Sequence, residues 1–257
     1  MKKSVTKGAL EGRTAIVTGS GRNIGRAIAL AFAHAGANVV INGHRDRKAL
    51  DAVVGEIEAN GGRALAVLAD IGKPEDIRRM VKAAERAFGR VDIAVSNAAI
   101  RREQGLLDMS LADWHNVINT NLYSAFYIAR AVLPGMRKRG WGRIIHLSGE
   151  DGFLSQHKYR SHVTVSKAGL HAFSKSVSME FGEYGITANT VSPGSTDTVR
   201  DWSQYPKGWK TKRLEHIPLG KVASVNDIAA ACLYLAGDSG GHIAGQVIHV
   251  NGGRYMY

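Results

Sequence analysis

Thr18-Gly19-Ser20-Gly21-Arg22-Asn23-Ile24-Gly25 decides how this chain is read. Before it, Thr14-Ala15-Ile16-Val17 reads as a buried strand. After it, Arg26-Ala27-Ile28-Ala29-Leu30-Ala31-Phe32-Ala33 has the apolar spacing of a helix. A strand that turns through glycines into a helix leaves backbone N–H groups free at the helix start, where the dipole also favours negative charge. Glycine lets the backbone approach a diphosphate closely. Gly19, Gly21 and Gly25 are spaced G-x-G-x-x-x-G, one residue longer than the ordinary dinucleotide fingerprint. A glycine-rich turn alone also serves as plain punctuation; the flanking strand and helix point to an anion.

The 257 residues suffice for one large α/β domain or two small ones, and 44% hydrophobic with 22% charged residues is ordinary for a globular protein. No apolar run approaches the roughly 18–20 residues of a membrane span, and no apolar core follows the basic start Met1–Lys7, so neither a membrane anchor nor a secretory signal is expected. The single cysteine, Cys232, lies in the helical stretch Ile228–Leu233 and reads as a small buried apolar group. A reducing cytoplasm fits, and no metal site is expected. The net charge of +12 is spread over Lys2/Lys3/Lys7, Arg101/Arg102, Arg137/Lys138/Arg139 and Lys207/Lys210/Lys212/Arg213. Nucleic-acid binding would gather such charge on one face of a recognisable module, and none is present. Attraction of anionic small molecules is the simpler reading.

Strand-like and helix-like runs alternate along the chain. Strands are expected at Asn38–Asn42, Arg63–Leu68, Val91–Ser96, Gly142–Ser148, Ile186–Val191 and Gln246–Val250. Between them, helices are expected over about 46–60, 74–88 (Pro74 opening, Gly89 closing), 112–138, 163–184 and 226–236. With the first strand this makes one doubly wound (Rossmann) α/β domain, 1–257, with a seven-stranded parallel sheet and helices on both faces. Its ligand should lie beyond the carboxyl ends of the strands. The stretches expected to line it are Gly19–Gly25, Gly43–Arg45, Asp70-Ile71, Asn97–Ala99, Ser148–Asp151 and Ser192–Gly194. The segment from about 199 to 218, with Trp202, Tyr205 and Trp209, is expected to form a substrate lid or a subunit contact.

Over about Gly12–Gly253 the arrangement resembles the short-chain dehydrogenase/reductase family, as an atypical member. Thr18-Gly19-x-x-x-Asn23-Ile24-Gly25 resembles TGxxxGxG with Asn23 in place of the middle glycine; asparagine tolerates left-handed backbone, so the turn should survive. Asp70-Ile71 matches the adenine-contacting pair, Ser96-Asn97-Ala98-Ala99 the NNAG segment, and Asn121-Leu122 the helix asparagine. Ser166-Lys167-Ala168 matches the end of YxxxSKxA. Pro193-Gly194-x-x-x-Thr198, with Thr196 inside it, matches the nicotinamide-side loop, and Gly245-Gln246…Asn251-Gly252-Gly253 the last strand. The resemblance implies cofactor contacts from Gly19, Ser20, Arg22, Asn23, Ile24, Gly25, Arg45, Asp70, Ile71, Asn97, Ala98, Lys167, Pro193, Gly194, Thr196 and Thr198. It also implies a homotetramer, with a dimer as the alternative, packed through the two long helices.

Cofactor choice follows from charge. A carboxylate closing the second strand would bind a ribose 2′-OH and repel a 2′-phosphate. Here Asn42-Gly43-His44-Arg45 has no acid before Asp46, and Arg22 and Arg45 could hold a 2′-phosphate. NADP is therefore favoured over NAD.

The catalytic positions depart from the family. Its tyrosine, four residues before the lysine and so on the same helix face, moves the proton as hydride moves, and a serine holds the substrate oxygen. In this chain Val163 and Gly149 stand at those positions, while Lys167 and Asn121 remain. Candidate replacements are Tyr159 and His162 at the helix entry, and Glu150 and Asp151 after the fifth strand; Thr164 is too weak an acid. The expected function is an NADP-dependent oxidoreductase acting on a carbonyl, an alcohol or an activated double bond, 3-oxoacyl reductase-like by resemblance. A lyase or isomerase using Glu150, Asp151 or His162, or a non-catalytic nucleotide-binding protein, are the alternatives.

Overall fold

Ala15 and Val17 point to one face of their strand and Ile16 to the other, as the two-residue period of β structure requires, and all are fully buried. That alternation, repeated strand by strand, divides the core in two. The computed structural model describes residues 8–155, 157–199, 208–212 and 214–256. Seven parallel strands, β1 Thr14–Val17, β2 Asn38–Gly43, β3 Arg63–Leu68, β4 Ile93–Ser96, β5 Gly142–Leu147, β6 Ile186–Pro193 and β7 Val247–Val250, form one sheet in the order β3-β2-β1-β4-β5-β6-β7. On one face Val17, Val39, Val95 and Ile145 meet α1 (Asn23–His34) and, late in the chain, the helix Val225–Ala236; on the other Ile16, Val40, Ala94 and Ile144 meet the helices Pro74–Phe88, Ser124–Arg139 and Ser161–Phe181. The expected fold class stands.

Helix boundaries follow local chemistry. Asp46 accepts the Ala49 N–H and caps α2 (Arg47–Ala59). Pro74 opens α3 (Pro74–Phe88), and Gly89, left-handed at φ 80°, ends it. The helix expected over 112–138 is broken: α4 (Leu111–Ile118) passes through a π turn, Asn119–Tyr123, into α5 (Ser124–Arg139). The next, α6, runs Ser161–Phe181, with a 3₁₀ turn to Tyr184. The short α7 is Trp209–Lys212 and α8 is Val225–Ala236, where Cys232 is buried and its thiol pKa raised by desolvation. No helix among the described residues is long and apolar enough to cross a membrane.

The strand order reverses at β1, with β2 on one side and β4 on the other. That is where an open α/β sheet leaves a crevice. Of the expected lid, Trp202, Tyr205, Arg213 and the Trp209 side chain lie outside the described residues, as does the basic start.

Candidate active site

At the crevice the glycine turn is shaped by close contacts. A Cβ on Gly25 would stand 2.3 Å from the Gly19 carbonyl oxygen, and one on Gly19 would stand 2.9 Å from the Ala98 Cβ. Asn23 has φ 51°, the left-handed conformation expected of it, and its Oδ1 accepts the Val199 N–H at 2.9 Å. Arg22 precedes α1 without capping it through its side chain, and the first turn holds no acid. The positive end of α1 is therefore kept clear for an anion.

The neighbouring polar groups brace this turn. Asn97 Nδ2 donates to the carbonyls of Thr18 and Gly19, at 2.9 and 3.1 Å. Ser20 is fully buried, its hydroxyl donating to Val17 O and accepting from Asn42 N. Its side chain serves the turn, and Ser20 does not line the cleft.

A cleft of about 590 Å³ runs over the strand ends. Gly19, Arg22, Asn23, Ile24, Gly25, Asn97, Ala98, Pro193, Gly194, Thr196 and Thr198, all expected here, line one part of it. Arg45, Asp70 and Ile71 do not line it; they follow β2 and β3, to one side, where His44 Nε2 lies 3.8 Å from Asp70 Oδ2.

Beyond the glycine turn the lining becomes ionic. It is built by Arg101 after β4, by Gly149, Glu150 and Asp151 after β5, by His157 and Arg160 ahead of α6, by Lys212 and His216, and by Arg254 after β7. The 3₁₀ turn Glu150–Gly152 packs on α6 because residue 152 is glycine: a Cβ there would meet His171 Cε1 at 2.6 Å and the Lys167 backbone at 3.2 Å. That seat places Asp151 with its Oδ1 3.9 Å from His157 Nε2 and its Oδ2 3.7 Å from Arg160 Nη1. Glu150 pairs with Arg254 at 3.2 Å.

Lys167, on α6, is buried and does not itself line the cleft. Its buried Nζ donates to Leu147 O at 2.6 Å, at the end of β5. Burial brings its pKa down to about 7, Arg101 pushes the same way, and Asp151 opposes. Asn121, in the π turn, accepts the Ile100 N–H at 2.8 Å and donates to Ile100 O and to Ser166 Oγ. A π turn frees helix carbonyls and is a frequent mark of a functional position. It also ties Asn121 to the segment that carries Arg101.

Two expected residues are placed elsewhere. Tyr159 takes φ 65°, is 61% exposed, and does not line the cleft. His162 is fully buried on the α4 side, in the field of Asp113 and Arg102, and burial lowers its pKa. Its place one residue before Val163 turns it away from the face of α6 that carries Lys167. Val163 itself is fully buried. Conversely His157, Arg160 and Arg254 were not legible as site residues. Their only sequence signal is position shortly after a strand end, which is shared by many surface residues.

Comparison with known proteins agrees with this geometry. Residues 19–254 match the family model described as enoyl-(acyl carrier protein) reductase. The chain is 37% identical to a 3-oxoacyl-(acyl-carrier-protein) reductase of Synechocystis, over 97% of this chain and 99% of that protein. It is 38% identical to a (2S)-((R)-hydroxy(phenyl)methyl)succinyl-CoA dehydrogenase subunit of Thauera aromatica, covering 96% and 98%. A short chain dehydrogenase from Burkholderia cenocepacia, solved in complex with NADP, superposes with a TM-score of 0.88 at 31% identity, covering 96% and 99%. A dehydrogenase/reductase from Sinorhizobium meliloti gives 0.88 at 34%, covering 96% of each chain.

A doubly wound sheet with a glycine turn at its switch point, together with these relatives, defines a dinucleotide-dependent oxidoreductase. The chain belongs to the short-chain dehydrogenase/reductase family.

Proposed function

We propose that this protein is an NADP-dependent oxidoreductase of a carbonyl, alcohol or activated double bond, in which Asp151 and His157 do the proton work that a tyrosine at position 163 would do. The carrying observation is that Asp151 and His157 share the cleft at 3.9 Å, with Asp151 also acting electrostatically on the buried Lys167.

The residues present fit the cofactor. The anion seat at α1 and the close-packed glycines would hold its diphosphate, Arg22 and Arg45 carry charge suited to a 2′-phosphate, and Lys167 and Asn121 would organise the nicotinamide ribose and a water. NADP, when bound, supplies or accepts the hydride. Val163 has no proton to give. His157 can carry one: an imidazole both donates and accepts protons, and although burial lowers its pKa, the Asp151 carboxylate works against that. Asp151 orients the imidazole and balances the imidazolium when it forms. Lys212 and His216 support a lid reading for the segment around 199–218.

A cytoplasmic homotetramer is part of the proposal. Its support is the exposure of Tyr123, Phe126, Val165 and Met179 on or beside the long helices, and a lone buried cysteine. The test is nicotinamide absorbance with ketones, aldehydes, alcohols and enones. Asp151→Asn and His157→Phe should each lower kcat by about 10²–10⁴ while NADP affinity holds. Turnover with no nicotinamide change would instead indicate a lyase or isomerase, and unaltered kcat in both variants would remove the Asp151–His157 assignment.

A further inference from the structure

Asn119 and Asn121 stand two residues apart in the π turn Asn119–Tyr123, and their amides reach different loops. Asn121 holds Ile100, after β4, through both ends of its amide, and donates to Ser166 Oγ on α6 at 3.2 Å. Asn119 turns the other way. Its Nδ2 donates to Gly72 O at 2.9 Å, in the loop after β3, and its Oδ1 accepts from the Tyr127 hydroxyl at 3.3 Å. The sheet order places β2 and β1 between β3 and β4, so this one turn ties together loops that the sheet keeps apart.

The contact is shaped from both sides. A Cβ on Gly72 would stand 2.7 Å from Asn119 Nδ2, so the amide reaches the carbonyl because residue 72 is glycine. The loop itself is braced: the Gly72 N–H donates to Asp70 Oδ1 at 3.0 Å, and the Asp70 N–H donates to Asp76 Oδ2 on α3 at 2.9 Å. Ile71 between them is buried. A braced loop passes a displacement at Asp70-Ile71 on to the Gly72 carbonyl. The receiving element can yield, because a π turn interrupts helical hydrogen bonding, and such interruptions are frequent at functional positions.

We infer that Asn119 is a positioning residue. Through the π turn it links the loop expected to seat the adenine, Asp70-Ile71, to Asn121, so that filling the adenine end tightens the Asn121–Ile100 pair at the other end of the crevice. The inference rests on the NADP reading for what fills the loop, and goes beyond it in naming the residue that carries the coupling.

The experiment uses the adenine half of the nucleotide alone. Adenosine 2′,5′-bisphosphate, with AMP as a second probe, is titrated calorimetrically into the full chain. Exchange of the Ile100 amide hydrogen, which is donated to Asn121 Oδ1 at 2.8 Å, is followed by mass spectrometry with and without saturating probe. In the parent the probe should slow that exchange by at least about 5-fold. Asn119→Asp, equal in size but lacking the donor, and Gly72→Ala, which crowds the amide, should each weaken the probe by about 10-fold. At saturation both should leave Ile100 exchange within about 2-fold of the nucleotide-free rate. Tyr127→Phe, which only frees Asn119 Oδ1, should respond between these and the parent. An asparagine that merely held the fold together would lower Tm without changing the response of Ile100. Exchange unaltered in the probe-bound parent, or slowed equally in Asn119→Asp and Gly72→Ala, would overturn the inference and leave the NADP reading standing. If those two variants do not fold, a Tyr127→Phe response equal to the parent's would overturn it. Binding of neither probe to the parent would sink the NADP reading and this inference with it.

Discussion

Replacing Lys167 with methionine should change how the stability of the protein depends on pH. The lysine is buried, its Nζ donates to Leu147 O, and its pKa is brought from 10.5 down to about 7, chiefly by desolvation. Between pH 7 and 10.5 the unfolded chain therefore binds a proton at this residue that the folded chain releases. Folding is favoured by rising pH across that window and is indifferent to this group on either side. The slope is at most about 1.4 kcal/mol per pH unit, so moving from pH 7 to pH 9 should stabilise the cofactor-free protein by about 2 kcal/mol through this side chain alone. Urea unfolding of the parent and Lys167→Met at both pH values isolates the effect, since every other titrating group is common to the two. The parent should gain about 2 kcal/mol more than the variant. Parallel profiles would refute the reasoning, because they would mean that Lys167 keeps its charge in the folded state.

The remaining predictions concern the nucleotide end. Arg22→Ala combined with Arg45→Ala should weaken NADP by about 10- to 100-fold and spare NAD, the scale of a lost charge-assisted contact; equal effects on the two nucleotides, read by fluorescence titration, would remove the phosphate role. Gly25→Ala should fold with a lower Tm and lose NADP binding by at least about 10²-fold, since its new carbon would stand 2.3 Å from Gly19 O and 2.5 Å from Asn97 Nδ2; a variant that binds NADP normally would show that the turn has slack.

Much of the architecture is local and was readable from the chain. The apolar strands, the Pro74 start and Gly89 stop of α3, and the left-handed Asn23 each depend on a few adjacent residues and on backbone sterics. So does the glycine turn, because a strand, the turn and a helix are consecutive. Helix ends differ from the expected ones by one to three residues. The π turn at Asn119–Tyr123 was not legible, since nothing in the helical apolar spacing forbids an inserted residue.

The catalytic half depended on the tertiary structure. Sequence could show that position 163 offers valine and position 149 glycine, and could propose Tyr159, His162 and Asp151 by nearness along the chain. Nearness along the chain is a poor guide where a loop enters a helix: His162 turned into the α4 contact and Tyr159 outward, while His157 faced Asp151. The arginines that charge the cleft lie at positions 101, 160 and 254, and only the parallel sheet brings the ends of β4, β5 and β7 to one rim. A backbone turn is fixed by torsions within a few residues, whereas an ionic site is fixed by distances between remote ones, and those distances exist only once the sheet has closed its core.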